Sequence, residues 1–222
     1  GIAFAFKLQT LFLAPLYVIL WMKGKVKLKH FLFLPLMYVI GMIPSLLAGK
    51  SFWELISVYF FQANGQMDIY ALSHKFPNIY QLIGTDSFLF EYADAGIWVT
   101  LGALMILMYC FARKQYEMNA CLLLRMGMLL TMTVVFFLPH MHDRYAYIAE
   151  IVMLFYLFRP RKLWRPVVAQ LLALATYGET LFWFSYDGME QPAALVRLFL
   201  LLVLGIDLLQ QTKGVQMKQD LL

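Results

Sequence analysis

The sequence predicts an all-α protein: a polytopic bundle of about seven transmembrane helices with one further helix at the external membrane surface. Of its 222 residues, 62% are hydrophobic and 14% are charged, and the mean hydropathy of +0.70 lies outside the range of soluble domains. Apolar runs of about 17–21 residues recur, which is long enough to cross a hydrocarbon core as helices. The runs lack the alternation of barrel strands, so helices must satisfy their backbone in lipid.

Seven apolar runs are the predicted spans: Ile2–Met22, Phe31–Ala48, Gly96–Ala112, Ala120–Leu138, Ala146–Phe158, Pro166–Phe184 and Ala193–Gln210. The fifth is short and is expected to begin inside the polar segment before it. The first run has no basic segment or cleavage site typical of a signal peptide. We therefore expect residues 1–222 to form a single transmembrane domain, the C-terminal part of a longer protein.

The positive charges predict the orientation of the bundle. The connections after the first, third, fifth and seventh runs hold twelve Lys and Arg residues, whereas the intervening connections hold only Lys50, Lys75 and Arg144. Basic connections favour the cytoplasm, so the protein is predicted to be a multi-pass protein of the cell membrane with a cytoplasmic C-terminus. The net charge of +5 is read as an orientation signal and an attraction to membrane lipid, and it gives no support for nucleic-acid binding.

The connection 49–95 is the long one on the predicted external side. Ser51 and Glu54 have the spacing of a capping box, and Trp53, Ile56 and Phe60 recur at helical spacing. This pattern predicts an aromatic amphipathic helix at the membrane surface. The remainder is expected to be an ordered loop, because long structureless loops are uncommon and usually functional.

The polar segment 139–145 separates two apolar runs. It concentrates two imidazoles, a carboxylate, a guanidinium and a phenol: His140, His142, Asp143, Arg144 and Tyr145. Charged groups near membrane depth are costly and usually functional, so we predict that the segment binds a charged molecule or takes part in chemistry. The alternative is a polar interfacial turn with Tyr145 in the aromatic belt. A metal site is not favoured, because the two histidines lack a third ligand and suit one helix face poorly.

Other ionisable groups concentrate toward the predicted outer face. Four lie in the outer halves of spans: Lys7, Glu150, Glu179 and Arg197. Arg125 and Asp207 lie in the inner half, where Arg125 is expected to snorkel to the cytoplasm. The pattern predicts a polar cavity open to the outside at the depth of a lipid phosphate. Lys7 and Arg197 have an alternative structural role, in which they snorkel or pair with Glu179 or Glu150.

Three stretches carry a family resemblance. Pro-His-Met-His-Asp-Arg-Tyr at 139–145 looks like a His-x-His-(Asp/Glu)-(Arg/Lys) element, with Asp143 in place of the commoner Glu. Phe6-Lys7-Leu8-Gln9 followed by Pro15 is similar to a Lys-x-Gln…Pro span, and the stretch 77–82, Pro-Asn-Ile-Tyr-Gln-Leu, to an external Asn-Ile-Tyr-Gln segment. Together they resemble the GT-C membrane glycosyltransferases, in particular bacterial proteins related to glycosylphosphatidylinositol mannosyltransferase II. The resemblance runs to about Phe158.

The resemblance implies a GT-C-like bundle that transfers a hexose, with mannose favoured, from a polyprenyl-phosphate-linked donor. The acceptor would be a glycan, lipid or protein on the external face, and no cofactor is certain, a divalent metal being an option that is not favoured. Family members invert the sugar, and their catalytic base is typically an Asp in an earlier external loop, outside this sequence. The implied donor-phosphate ligands are Arg144, Lys7, His140 and His142. The implied substrate contacts are Asp143, Tyr145, Asn78, Tyr80, Gln81 and Gln9.

Two other functional classes remain open. A transporter or flippase for a lipid-linked or anionic solute would share an outward polar cavity, but it should bring ionisable groups to the midplane and show paired repeats. A non-catalytic membrane scaffold would use the segment 139–145 only to contact lipid headgroups.

Overall fold

The computed structural model describes residues 1–64, 72–74, 76–83, 92–157, 167, 171 and 190–219. These residues are mostly helical. The chain divides into two compact units, Gly1–Tyr70 and Ala71–Leu222. The two units are described separately, and the segment 139–145 belongs to the second.

The first unit is a set of short and long helices. Its elements are α1 (Ile2–Phe6), a 3₁₀ turn (Leu8–Leu13), α2 (Ala14–Met22), a second 3₁₀ turn (Leu28–Leu32), α3 (Phe33–Leu47) and α4 (Phe52–Asn64). Helix α1 packs against α3, and α3 against α4. The prediction of one continuous helix from Ile2 to Met22 is wrong, because Lys7 is extended, with φ −153° and ψ 125°. Helix α2 restarts near Pro15, whose missing N–H is tolerated only in the first turn of a helix.

Helix α4 confirms the capping box that the sequence predicts. The backbone N–H of Ser51 donates to Glu54 Oε2 at 3.1 Å, and the Glu54 N–H donates to Ser51 Oγ at 3.2 Å. These reciprocal bonds satisfy two donors that a helix start leaves without intrahelical partners. The helix predicted in the external connection is therefore present, and its position at a membrane surface remains a prediction.

The second unit is built around one buried helix. Its elements are β1 (Ser73–His74), α5 (Ile79–Ile83), α6 (Ala93–Ala112), α7 (Ala120–Phe137), β2 (Met141–His142), a 3₁₀ turn (Asp143–Ala146), α8 (Tyr147–Leu157) and α9 (Glu190–Gln219). All residues of α7 from Arg125 to Phe136 are buried, and α7 packs against α6, α8 and α9. The segment 139–145 leaves directly from the end of this central helix.

Four helices of the described residues are long and apolar enough to cross a membrane: Leu28–Leu47, Ala93–Ala112, Ala120–Phe137 and Glu190–Thr212. They match the second, third, fourth and seventh predicted spans. The apolar helix Gln9–Met22 is shorter, and α8 covers most of the fifth run with 11 residues. The sixth run, Pro166–Phe184, lies outside the described residues except for positions 167 and 171. Large apolar side chains such as Trp98 and Ile106 are exposed on α6, as expected for contact with lipid.

Arg125 is buried inside the second unit and has partners there, and its predicted snorkelling to the cytoplasmic surface stays a prediction. Its residue is only 7% exposed. Its guanidinium donates to Gln211 Oε1 and lies 3.9 Å from a carboxylate oxygen of Asp207, both on α9. A buried charge needs partners to offset its desolvation, and α9 supplies them here.

Candidate functional site

The end of the central helix is joined to the connection 49–95 by a short parallel bridge. Strand β1 pairs with β2 so that Ser73 lies opposite Met141 and His74 lies opposite His142. The backbone N–H of His140 extends the pairing by donating to the Leu72 carbonyl at 2.8 Å. The bridge therefore brings a distant part of the chain onto the polar segment.

Two histidine rings stack across this bridge. The imidazoles of His74 and His142 have centroids 4.3 Å apart and planes 11° apart. The ring of Tyr145 meets His142 edge-on, with centroids 5.2 Å apart and planes at 67°. All three side chains are half-buried. They form a small aromatic cluster whose ring nitrogens and phenol can form hydrogen bonds.

The backbone of His140 is in the left-handed region, with φ of 59°. This conformation costs an L-residue other than glycine roughly 1–2 kcal/mol, and such strain tends to occur at functional sites. It turns the chain between the end of α7 and β2. The residue is 9% exposed, so its imidazole is largely enclosed.

A buried turn follows strand β1 and stabilises the bridge. The Ser73 hydroxyl donates to the Phe76 carbonyl at 2.6 Å, and Asn78 Oδ1 accepts the Tyr80 N–H at 3.1 Å. Phe76 and Asn78 are both fully buried. Within the described part of the chain, the Asn78 side-chain nitrogen has no hydrogen-bond partner. An unsatisfied buried donor is costly and calls for an explanation.

Tyr80 fastens this turn to the central helix. Its hydroxyl donates to the Phe137 carbonyl in the last turn of α7 at 2.8 Å. Burial raises the pKa of the Tyr80 phenol to about 12, so the donor stays protonated at neutral pH. A Cβ on Gly96 of α6 would collide with this hydroxyl, and the glycine therefore makes room for the phenol.

An ion pair joins the last helix to the site. Arg197 on α9 lies 3.3 Å from Glu150 on α8, and its guanidinium carbon stands 4.7 Å from the Phe76 ring centroid. Both charged residues are buried. The pairing of Arg197 with Glu150 confirms the structural alternative considered for this arginine. A cation over an aromatic face adds further stabilisation when desolvated.

The remaining predicted site residues are distributed as follows. Arg144 is exposed in the 3₁₀ turn, and Gln81 is half-buried on α5. The side chain of Asp143 lies outside the described part. Lys7 is exposed and Gln9 is half-buried, and both belong to the first unit. Their predicted contacts with a donor or substrate stay predictions.

Sequence reasoning missed His74. One signal was available, since the chain has four histidines and His74 is the one in the connection 49–95. Among the described residues, no group of three or more His, Cys, Asp and Glu side chains is placed to hold a metal ion. Comparison of the chain with protein-family models, curated proteins and solved structures finds no match.

Proposed function

We propose that the protein is an inverting membrane glycosyltransferase that transfers a hexose from a polyprenyl-phosphate-linked donor on the external side of the membrane. Mannose is the favoured sugar. The acceptor hydroxyl attacks the anomeric carbon, the bond from that carbon to the phosphate oxygen breaks, and the electron pair leaves with the lipid phosphate. The hydroxyl proton passes to a carboxylate that acts as the general base.

The arrangement around Arg144 is the observation that carries this proposal. Negative charge grows on the phosphate as the glycosidic bond breaks, and a fixed cationic donor lowers the energy of that state without reorganisation. Arg144 is exposed in the 3₁₀ turn Asp143–Ala146, which directly follows His142, and the ring of His142 stacks on that of His74. We assign phosphate binding to Arg144 and to the two stacked imidazoles, which can donate N–H groups.

Asn78 supports a sugar or acceptor contact in the same region. Its amide oxygen is occupied by the Tyr80 N–H, and its amide nitrogen is the buried donor that lacks a partner within the described residues. A substrate hydroxyl would satisfy that donor once the turn that encloses Asn78 opens. Sites built to hydrogen-bond a hydroxyl discriminate strongly against ligands that lack it.

The test is a transfer assay on the full-length protein in proteoliposomes. Radiolabelled mannosyl phosphate on a polyprenyl lipid is supplied on the external side, and label is followed into acceptor and across the bilayer. Label in the acceptor with inverted anomeric configuration is the expected result. No transfer to any of glycan, lipid and protein acceptors would refute the proposal.

A transporter is the second candidate, and one observation favours it. Helix α1 ends at Phe6, and Lys7 stands extended before the 3₁₀ turn Leu8–Leu13. Interrupted helices that carry a charge are typical of substrate sites in transporters. In the same assay a transporter would move labelled lipid between leaflets without forming a new glycosidic bond, and a scaffold would do neither.

A further inference from the structure

A second polar site lies at the opposite end of the central helix. A cavity of about 170 Å³ is lined there by residues at the start of α7, by the connection before it and by α9. Helix α7 has 18 residues, so at 1.5 Å per residue this cavity lies about 27 Å along the helix from the segment 139–145. If α7 spans the bilayer, the two sites therefore face opposite headgroup layers.

The cavity wall presents hydrogen-bond donors. Asn119 Oδ1 accepts the Leu122 N–H at 2.8 Å and caps α7. Gln211 Oε1 accepts from the Arg125 guanidinium. Since both amide oxygens are engaged, each side chain has its NH₂ group left to offer to a ligand. Together with the guanidinium, these groups suit an acceptor-rich, negatively charged ligand.

The charged groups that the structure describes around the cavity are two cations, Arg125 and Lys114, and two carboxylates, Asp207 and Glu117. Arg125 is buried, and a carboxylate oxygen of Asp207 lies 3.9 Å from its guanidinium. Lys114 lies alongside, with its ammonium donating to Thr212 Oγ1 at 3.1 Å. Burial raises the pKa of Tyr116 to about 12, so this phenol carries no charge at neutral pH. Glu117 is exposed on the cavity lining, where its carboxylate opposes an anion.

We propose that this cavity binds a phosphate-bearing lipid headgroup, held by Arg125 and by the amide NH₂ groups of Asn119 and Gln211. Its volume equals that of about five or six liquid waters, which is enough for a phosphate group with its first substituent. If α7 spans the bilayer, the guanidinium and the two amides at this end of the helix lie near the layer of lipid phosphates. The site does not depend on the proposed transferase activity.

Three isosteric variants test the proposal without removing the contacts that hold the fold. Asn119→Asp keeps the oxygen that caps α7 and replaces the NH₂ donor with a negative oxygen. Gln211→Glu does the same for the bond to Arg125. Glu117→Gln removes the opposing charge. Lys25→Gln, in an exposed basic turn of the first unit, controls for non-specific attraction of anionic lipid.

Phosphatidylglycerol is titrated into the full-length protein in a neutral detergent, and bound lipid is counted by native mass spectrometry. Asn119→Asp and Gln211→Glu are each expected to weaken the tightest binding event at least about tenfold, because a like charge replaces a donor. Glu117→Gln is expected to strengthen it several-fold, and Lys25→Gln to leave it unchanged. Unchanged affinity in both acidic variants would overturn the proposal.

A competition arm separates the two sources of phosphate. If millimolar inorganic phosphate leaves bound phosphatidylglycerol in place, the ligand is the lipid, as proposed. If inorganic phosphate alone protects the protein against thermal unfolding, and that protection is lost in Asn119→Asp, the same groups bind a soluble phosphate and the lipid assignment is overturned.

Discussion

His74 and His142 lie directly opposite each other on a two-residue parallel bridge, and their imidazole rings stack at 4.3 Å. Both residues belong to the second unit, although a long stretch of sequence separates them. The pairing anchors the connection 49–95 to the end of the central helix. It also brings a third imidazole, that of His74, to the predicted phosphate-binding segment, which itself contains His140 and His142.

The bridge itself is testable by cross-linking. In a background with Cys110 and Cys121 replaced by Ser, the pair His74→Cys and His142→Cys should form a disulfide on mild oxidation. Paired strands lie about 4.8 Å apart, and a disulfide spans Cα distances of about 4.4–6.8 Å. Maleimide labelling should therefore count no free thiols. The control pair His74→Cys with Tyr147→Cys should keep both of its thiols free. Equal cross-linking of the two pairs would contradict the register.

Gly96 and Tyr80 should be energetically coupled. Gly96→Ala places a methyl group against the Tyr80 hydroxyl and is expected to cost about 1–3 kcal/mol of unfolding free energy. Tyr80→Phe loses the bond to Phe137 at about 1 kcal/mol but also removes the obstructing oxygen. The double variant should therefore be more stable than the sum of the single changes predicts.

The matched control for this cycle is Gly102→Ala on the same helix. A Cβ there meets no atom within 4 Å, so the change should be neutral or stabilising by up to about 1 kcal/mol. Unfolding by denaturant in detergent micelles measures all four variants. A cost at Gly102 equal to that at Gly96 would mean that the Tyr80 contact is not the cause.

Replacement of His140 by glycine should destabilise the protein less than replacement by alanine. This order is the reverse of the usual one for a residue that is truncated. Glycine adopts a φ of 59° without strain, whereas alanine does not. The free energy of unfolding of His140→Gly should therefore be about 1 kcal/mol higher than that of His140→Ala, although the glycine variant loses more of the side chain. Thermal unfolding of the two variants checks this, and a less stable glycine variant would show that the left-handed turn is absent.

Alkaline pH should destabilise the protein through two buried phenols. Tyr80 and Tyr116 have pKa values near 12 in the folded chain, against 10.0 for the ordinary phenol. Because the pKa of each phenol is raised by folding, the phenol loses its proton at a lower pH in the unfolded state than in the folded state. The contribution of the two phenols to stability is therefore complete below pH 10 and falls as pH rises toward 12. The loss between pH 10 and 12 should be smaller in Tyr80→Phe than in Tyr17→Phe, whose phenol is exposed.

Local patterns in the sequence predicted local structure well. The Ser51–Glu54 capping box was readable because its bonds join residues three positions apart. Four apolar runs predicted long helices because length and hydropathy alone decide whether a helix can span. The break at Lys7 was missed because an apolar run continues on both sides of it.

Contacts between distant segments were not predictable in the same way. The stacking of His74 on His142 depends on how the connection 49–95 folds back, which no periodicity encodes. The partners of Arg125 were missed, because the sequence does not reveal that Gln211 and Asp207 of α9 face it. The ion pair of Arg197 also joins two distant segments, although its partner Glu150 was among the alternatives considered.

The most direct test of the proposed function is the rate of sugar transfer by the variant Arg144→Ala. The control is Arg113→Ala, because Arg113 is also an exposed arginine and lies at the far end of α6. Removing a fixed cationic donor to a developing anion should lower turnover on the order of 100-fold, with the protein still inserted and folded. The Arg113 variant should turn over like wild type. Turnover of Arg144→Ala at the wild-type rate with the polyprenyl-phosphate sugar would contradict the account.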